Sequence, residues 1–420
     1  MDTPPPPDPD GPPSPEVTKA PSAGAEGPPW EPLTTIAREW TRIGCTGFGG
    51  PPAHITLLRA LCVDRRRWLS AQEFEDGVAT TNLLPGPAST QLAIYCAWRL
   101  RGTRGALVGG LCFIVPGLIV ILALSALFLS SHPPLWVGGT AAGAGAAVPA
   151  VALGAAIGLA PASWRRAGPR RAGRGRWIGY LAAGAVAAAL VGPFLVLILA
   201  GCGLTELLVT RHPWRAAPAG AAAGAARPPQ ALLALFAAAV VPAGGLLSVA
   251  WVAFKAGALS YGGGFVIIPL MQHDAVHTYH WMTSAQFLSA VALGQITPGP
   301  VVQTVAVVGY AAAGVGGGLL ASLVAFTPSF FFVLAGGPHF GRLRRNQGIQ
   351  AFLTGAGPAA IGAIAGATIP LTLALSHLWQ LAVLGLAGLW LIALRRGVVS
   401  TLVGSAALGV IAVLSGAPAV

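Results

Sequence analysis

Two cations stand at matching places in an otherwise apolar chain. Arg42 and Lys255 each precede an aromatic-Gly-Gly turn by six residues, Phe48-Gly49-Gly50 in one case and Tyr261-Gly262-Gly263 in the other. Lys255 lies in an apolar stretch, Val252 to Tyr261. A cation inside a membrane segment costs about 2.5 to 3.5 kcal/mol on insertion scales, so it marks a functional position by default. Facing inward, two positive charges suit a dianion. The competing account is that both side chains snorkel to the membrane interface, Arg42 helped by Glu39 one helical turn away.

Further along each copy comes a second unusual turn, Pro85-Gly86-Pro87 and Pro298-Gly299-Pro300. Glycine costs about 1 kcal/mol and proline about 3 kcal/mol inside a helix, so helices break at these turns and at the Gly-Gly turns. A half-helix N-terminus exposes unpaired N–H groups, and its dipole favours an anion. Such backbone survives at membrane depth only where protein or a wet cavity covers it. The alternative is that the glycines serve close packing and the prolines make kinks. Neutral donors flank the breaks, with Ser89 and Thr90 in one copy and Thr304 in the other. The residues expected to bind substrate are therefore Arg42, Gly49, Gly50, Asn82, Pro85, Gly86, Pro87 and Gln91 in the first copy. In the second they are Lys255, Gly262, Gly263, Gln295, Thr297, Pro298, Gly299, Pro300 and Gln303.

Other chemistries find little support. His54, His273, His277 and His280 lie beyond the turns, where protonation near neutral pH suits a sensor or relay, but the irregular spacing of the last three is better explained by a surface loop. The five cysteines (Cys45, Cys62, Cys96, Cys112, Cys202) form no CxxC pair and read as packing residues. No metal set, paired nucleophile, phosphate loop or dinucleotide turn is legible, so neither a cofactor nor an enzyme is expected, and an ion gradient or membrane potential must supply the energy.

The elements that must position these residues form a repeat. Residues 255–300 repeat the pattern of 42–87 without a gap, 213 positions later, aligning Trp68 with Trp281 and Phe74 with Phe287 as well as the turns. With 54% hydrophobic and 9% charged residues, the 420-residue chain reads as an all-α polytopic membrane protein in contact with the lipid bilayer. The net charge of +12 comes from arginines in short loops, which points to topology and not to nucleic acid. The expected helical stretches are 33–43, 53–63, a capping-box helix from Ser70 with Glu73 to Leu84, and 88–98. Spans follow near 106–130, 135–160, 177–191, 194–210, 231–260, 318–336, 350–372, 377–394 and 398–417, giving ten to twelve crossings or broken crossings. Residues 1–30 read as a disordered Pro-rich cytoplasmic tail, 31–215 and 231–420 as the two repeats, and 216–230 as their linker. Arginines follow the first repeat unit at 99–104 but the second only at 342–345. That shift is the pattern of halves inserted in opposite directions.

On these residues the sequence resembles the chromate ion transporter family in its long two-domain form. The resemblance rests on Gly44 to Pro52 with His54, Trp68-Leu69-Ser70, Leu84 to Pro87 and Gln91. In the second half it rests on Lys255-Ala256-Gly257, Tyr261 to Gly264, Pro269, Trp281, Phe287 and Gly294 to Pro300. It implies antiparallel halves and export of chromate across the bacterial inner membrane, giving chromate resistance. Tyr261, where phenylalanine is usual, and the Pro-rich head are departures. Sulfate or another tetrahedral oxyanion stays open as substrate, a homodimer stays open as the assembly, and a non-transporting membrane scaffold is the remaining alternative.

Overall fold

The computed structural model describes residues 30–130, 133–191, 195–211, 245–260, 265–339, 342 and 345–418. The tail up to residue 29, the proposed linker, residues 231–244 of the expected span 231–260 and the Gly262-Gly263 turn lie outside them. Among the described residues there are helices and no strands.

The first half opens with α1 (Leu33–Thr46), which stops where Gly49 and Gly50 take φ of 93° and 74°, values that glycine alone adopts freely. α2 (Pro51–Arg59) restarts with proline in its first turn and runs into a π-helical turn, Ala60–Arg65. α3 (Ala71–Thr81) has the expected capping box: Glu73 N–H donates to Ser70 Oγ at 3.2 Å, and Ser70 N–H donates to Glu73 Oε2 at 2.9 Å. After Pro85-Gly86-Pro87, α4 (Ala88–Phe128) begins, followed by α5 (Leu135–Arg166), α6 (Arg171–Val186) with a π-helical turn Ala187–Val191, and α7 (Leu195–Arg211).

The second half repeats this order as α8 (Leu246–Leu259), α9 (Ile267–Gln272), α10 (Ser284–Ile296), α11 (Thr304–Gly336), α12 (Gln347–Leu373), α13 (Leu378–Gly388) and α14 (Val398–Leu414). Even the irregularities recur. π-Helical turns follow α9 at His273–Thr278 and α13 at Leu389–Ala393, matching those after α2 and α6. The likeness therefore runs past the sequence motif to the end of each half.

The run of arginines at 99–104 suggested a loop between spans. It is a sharp reversal inside α4: Arg101 and Gly102 leave helical backbone, Gly102 at φ 56°, and Gly105 and Gly109 fold back against Ala97. Ala313 and Gly314 make the same reversal in α11, with Gly314 at φ 62° and Gly309 packed on Gly317 and Ala321. The register between copies is 213 at the Pro-Gly-Pro turns but 212 at these reversals. The difference falls at Val301–Gln303, a 3₁₀ turn where the first copy is already α-helical. Three 3₁₀ residues rise as far as about four α-helical ones, so the second copy reaches the same point with one residue fewer.

The halves interlock through small residues. α5 packs on α13 and α14 of the second half, while α12 packs on α6 and α7 of the first. A Cβ at Gly143 would run into Ser405 and Gly409; one at Gly355 would run into Cys202 and Glu206, the matching positions. α4 and α11 also meet, with Gly110 against Phe330 and Gly318 against Leu122. As one helix advances along its sequence the other retreats, so the two run antiparallel. Among the described residues four helices, at 88–128, 135–166, 301–336 and 347–373, are long and apolar enough to cross a membrane. Side chains such as Ile119, Leu323 and Ile411 stand exposed on the outer faces.

Candidate functional site

Both Pro-Gly-Pro turns meet the opposite half. Gly86 N–H donates to Ser260 O at 2.8 Å, and Gly299 N–H donates to Gly47 O at 3.0 Å. Ser260 ends α8 and Gly47 ends α1, at matching positions of the repeat. Each half thus closes the other's break, and φ of 120° at Gly86 and 100° at Gly299 explains why glycine holds both positions. Gly50 joins the same centre: a Cβ there would stand 3.2 Å from Val301. Pro87 and Pro300 lead directly into the N-termini of α4 and of the 3₁₀ turn before α11, whose first N–H groups have no acceptor within the helix.

Buried polar groups gather here. Gln91 Nε2 donates to Pro85 O at 2.7 Å and Gln303 Nε2 donates to Ile114 O at 2.6 Å, which fixes both amides. Thr90 Oγ1, Gln91 Oε1, Ser260 Oγ, Gln295 Nε2, Gln303 Oε1 and Ser329 Oγ are buried without a hydrogen-bond partner among the described residues. Buried polar atoms without partners are costly, so their collection at the breaks is a mark of function. His54 is fully buried, with Nε2 3.0 Å from Gly47 O and Nδ1 3.2 Å from Ser89 Oγ. Because a carbonyl only accepts, Nε2 carries the proton and donates. The ring ties the end of α1 to the start of α4 and packs edge-on against Phe113.

The two cations are placed differently from expectation. Arg42 has a half-exposed side chain and faces Glu39 at 3.4 Å, and Glu39 also takes Arg65 and Arg66. Lys255 Nζ donates to Asp274 at 2.5 Å and lies over the Trp251 ring. The expectation of two free inward-facing charges is corrected: each cation is paired with a carboxylate, Lys255 with Asp274 alone and Arg42 with a Glu39 that it shares with two other arginines. Glu39 was legible one helical turn from Arg42, but Asp274 was not, because the repeat places Leu61 at its matching position.

The other expected residues divide between the two breaks. Asn82 and Pro85 are exposed, whereas their counterparts Gln295 and Pro298 are buried, as are Pro87, Gly299 and Pro300. Thr297 Oγ1 is turned back onto Leu293 O at 2.8 Å. Gly49 and Gly50 sit at the break, and Gly262 and Gly263 lie outside the described residues. A cavity of about 380 Å³ reaches the first break, lined by Thr81, Asn82, Gly86 and Ala88 on one side and by Leu159, Ala162 and Arg166 of α5 on another. Ser260, Ser329 and Arg166 were not singled out by the sequence. Ser329 and Gly117 become visible as a matching pair, like Gln91 and Gln303, once the register is shifted to 212.

Helices long and apolar enough to span, two recurring sets of elements and breaks buried at their junction define a multi-pass membrane protein of the transporter type. A sequence profile described as chromate transporter matches twice, at residues 34–207 and 247–412. The chain belongs to the chromate transporter family. It is 33% identical over 351 residues to a chromate transport protein of Cupriavidus metallidurans, covering 81% of this chain and 82% of the relative. A probable chromate transport protein of Synechococcus elongatus is 31% identical over 81% of this chain and 84% of its own length. A chromate transport protein of Pseudomonas aeruginosa is 31% identical over 84% of this chain and 85% of its own length. No solved structure matches.

Proposed function

We propose that this protein exports chromate across the bacterial inner membrane by alternating access, and that its halves are inserted in opposite directions. The observation that carries this reading is the meeting of two helix breaks, each closed by the other half and surrounded by buried polar atoms without partners. Helix N-termini and neutral donors suit an oxyanion, and pre-aimed dipoles cost no reorganisation when it binds. Chromate is the substrate named for the relatives, and sulfate shares its shape and charge.

The arrangement of charge supports the orientation. The short arm of α4 leads from the break to Arg99 and Arg101, and the long arm leads away from them. α11 runs antiparallel to α4, so Arg342 and Arg345, which follow it, lie at the Arg104 end. α5 returns from the far end of α4, which brings Arg165 and Arg166 there too. α14 is antiparallel to α5, with Gly139 against Gly409 and Gly143 against Ser405, so Arg395 and Arg396 lie toward the same end. Arginines gathered at one end mark the cytoplasmic side. The cavity at the first break opens toward that end and the second break is covered, as in a carrier caught facing inward.

Radiolabelled chromate and sulfate flux into everted vesicles, with and without a pH gradient, tests the reading. Accumulation of chromate above vesicles lacking the protein is expected. Accumulation of sulfate alone would replace chromate as substrate, and accumulation of neither would refute transport.

A further inference from the structure

The cavity at the first break has one charged group in its lining, and the repeat gives no hint of it. Arg166 closes α5 with its side chain on the cavity wall and exposed to solvent. Among the described residues no carboxylate pairs with it, as with several other arginines of the chain, but of these it alone lines the cavity. From Arg166 the wall descends through Ala162 and Leu159 toward Asn82 and Gly86, and the facing wall of Ala360, Ile361 and Ile364 is apolar. A lone cation over low-dielectric walls concentrates its field on whatever enters. Its planar fork fits two oxygens of a tetrahedral oxyanion, and no other charged side chain among the described residues lines the wall.

We propose that Arg166 is the capture residue, binding the oxyanion at the cavity mouth before it passes to Asn82 and the Gly86 break. This rests on the transport reading above. The second half lacks the group. In the register that matches Gly143 with Gly355, position 166 falls on Leu378, and the break on that side is buried. The cation therefore strengthens binding on one face of the carrier only. It sets the affinities of the two faces and leaves the driving force unchanged.

The test is chromate uptake into everted vesicles carrying the wild type, Arg166→Gln, Arg166→Lys or Arg165→Gln, with membrane abundance measured alongside. Arg166→Gln should raise KM for chromate at least about ten-fold with little change in kcat, because the charge and the two-point contact are lost and only a neutral donor remains. Arg166→Lys, which keeps the charge and loses the fork, should show a smaller rise, and Arg165→Gln none. A second readout needs no turnover. In a chain whose five cysteines are replaced, Asn82→Cys is labelled with a membrane-impermeant maleimide, and chromate should slow labelling when Arg166 is present but not in Arg166→Gln. An unchanged KM in Arg166→Gln, or equal protection with and without the arginine, overturns the proposal. If Arg166→Gln does not reach the membrane, the Arg166→Lys comparison decides in the same way. Wild-type vesicles that accumulate no oxyanion refute the transport reading instead, and the labelling experiment still shows whether chromate occupies the cavity.

Discussion

Gly86 N–H donates to the carbonyl of Ser260 across the boundary between the halves, 2.8 Å away. Its mirror image, Gly299 to Gly47, closes the other break at 3.0 Å. Paired contacts of this kind are what a twofold relation produces, since whatever one half gives it also receives.

A side chain at either glycine should be expensive. A Cβ at Gly86 would meet the Gln91 amide, and one at Gly299 would stand 3.2 Å from Gln303 Oε1, while both positions have positive φ. Backbone strain alone costs about 1 to 3 kcal/mol at such a position. Gly86→Ala and Gly299→Ala should each lower chromate flux per molecule more than ten-fold. Flux normalised to membrane abundance checks this, and normal flux in either variant would remove the breaks from the site.

The Lys255–Asp274 pair calls for a different experiment. With side chains 22% and 9% exposed, removing one partner strands the other charge, at a cost of about 3 to 5 kcal/mol. Lys255→Met and Asp274→Leu should each lower the melting temperature in detergent. The double variant should recover most of it, because Leu61 already fills the position matching Asp274. It should also recover transport. A stable double variant without flux would return Lys255 to the binding site.

The capping box at Ser70 predicts a pH effect. Burial works to raise the Glu73 carboxyl, but the Ser70 backbone and hydroxyl and the Arg99 guanidinium outweigh it and hold the group below its ordinary value of 4.5. A carboxyl with a depressed native pKa stabilises the fold above its unfolded value, and the gain is lost as pH falls through the native one. The stability gap between the wild type and Glu73→Gln should therefore be full at neutral pH and shrink below about pH 4.5. Melting curves across that range measure it. Ser70→Ala should cost about 1 kcal/mol at neutral pH.

What the sequence disclosed follows from how local each cause is. Gly49-Gly50, both Pro-Gly-Pro turns and the Ser70–Glu73 box act within a few residues, so their positions were legible, and all were found where described. Gly102 is equally local, but set among arginines it reads as a loop where the helix doubles back. Pairing is not local: Asp274 reaches Lys255 and Glu39 reaches Arg65 and Arg66 only through tertiary packing, and no spacing rule announces them. The cavity is less legible still, because Arg166 is one arginine in the most basic run of the chain until α5 is set beside Asn82.

The sharpest asymmetry between the breaks lies at Gly117 and Ser329, matching positions on α4 and α11. Ser329 Oγ is buried without a partner, 3.4 Å from where a Gly86 Cβ would stand, beside the break that opens to the cavity. Gly117 faces the covered break, and a Cβ there would collide with Pro298 O and lie 2.5 Å from Gln303 Oε1. The obstacle at Pro298 is backbone and cannot swing aside, so Gly117→Ser should separate the helices and cost about 1 to 3 kcal/mol as overpacking. Ser329→Gly removes an atom without a partner among the described residues and should leave folding near wild type, with a weaker apparent affinity for chromate if the hydroxyl donates to it. Melting temperature and KM for the two variants separate these effects. Equal destabilisation by both would mean that the covered break is no tighter than the open one.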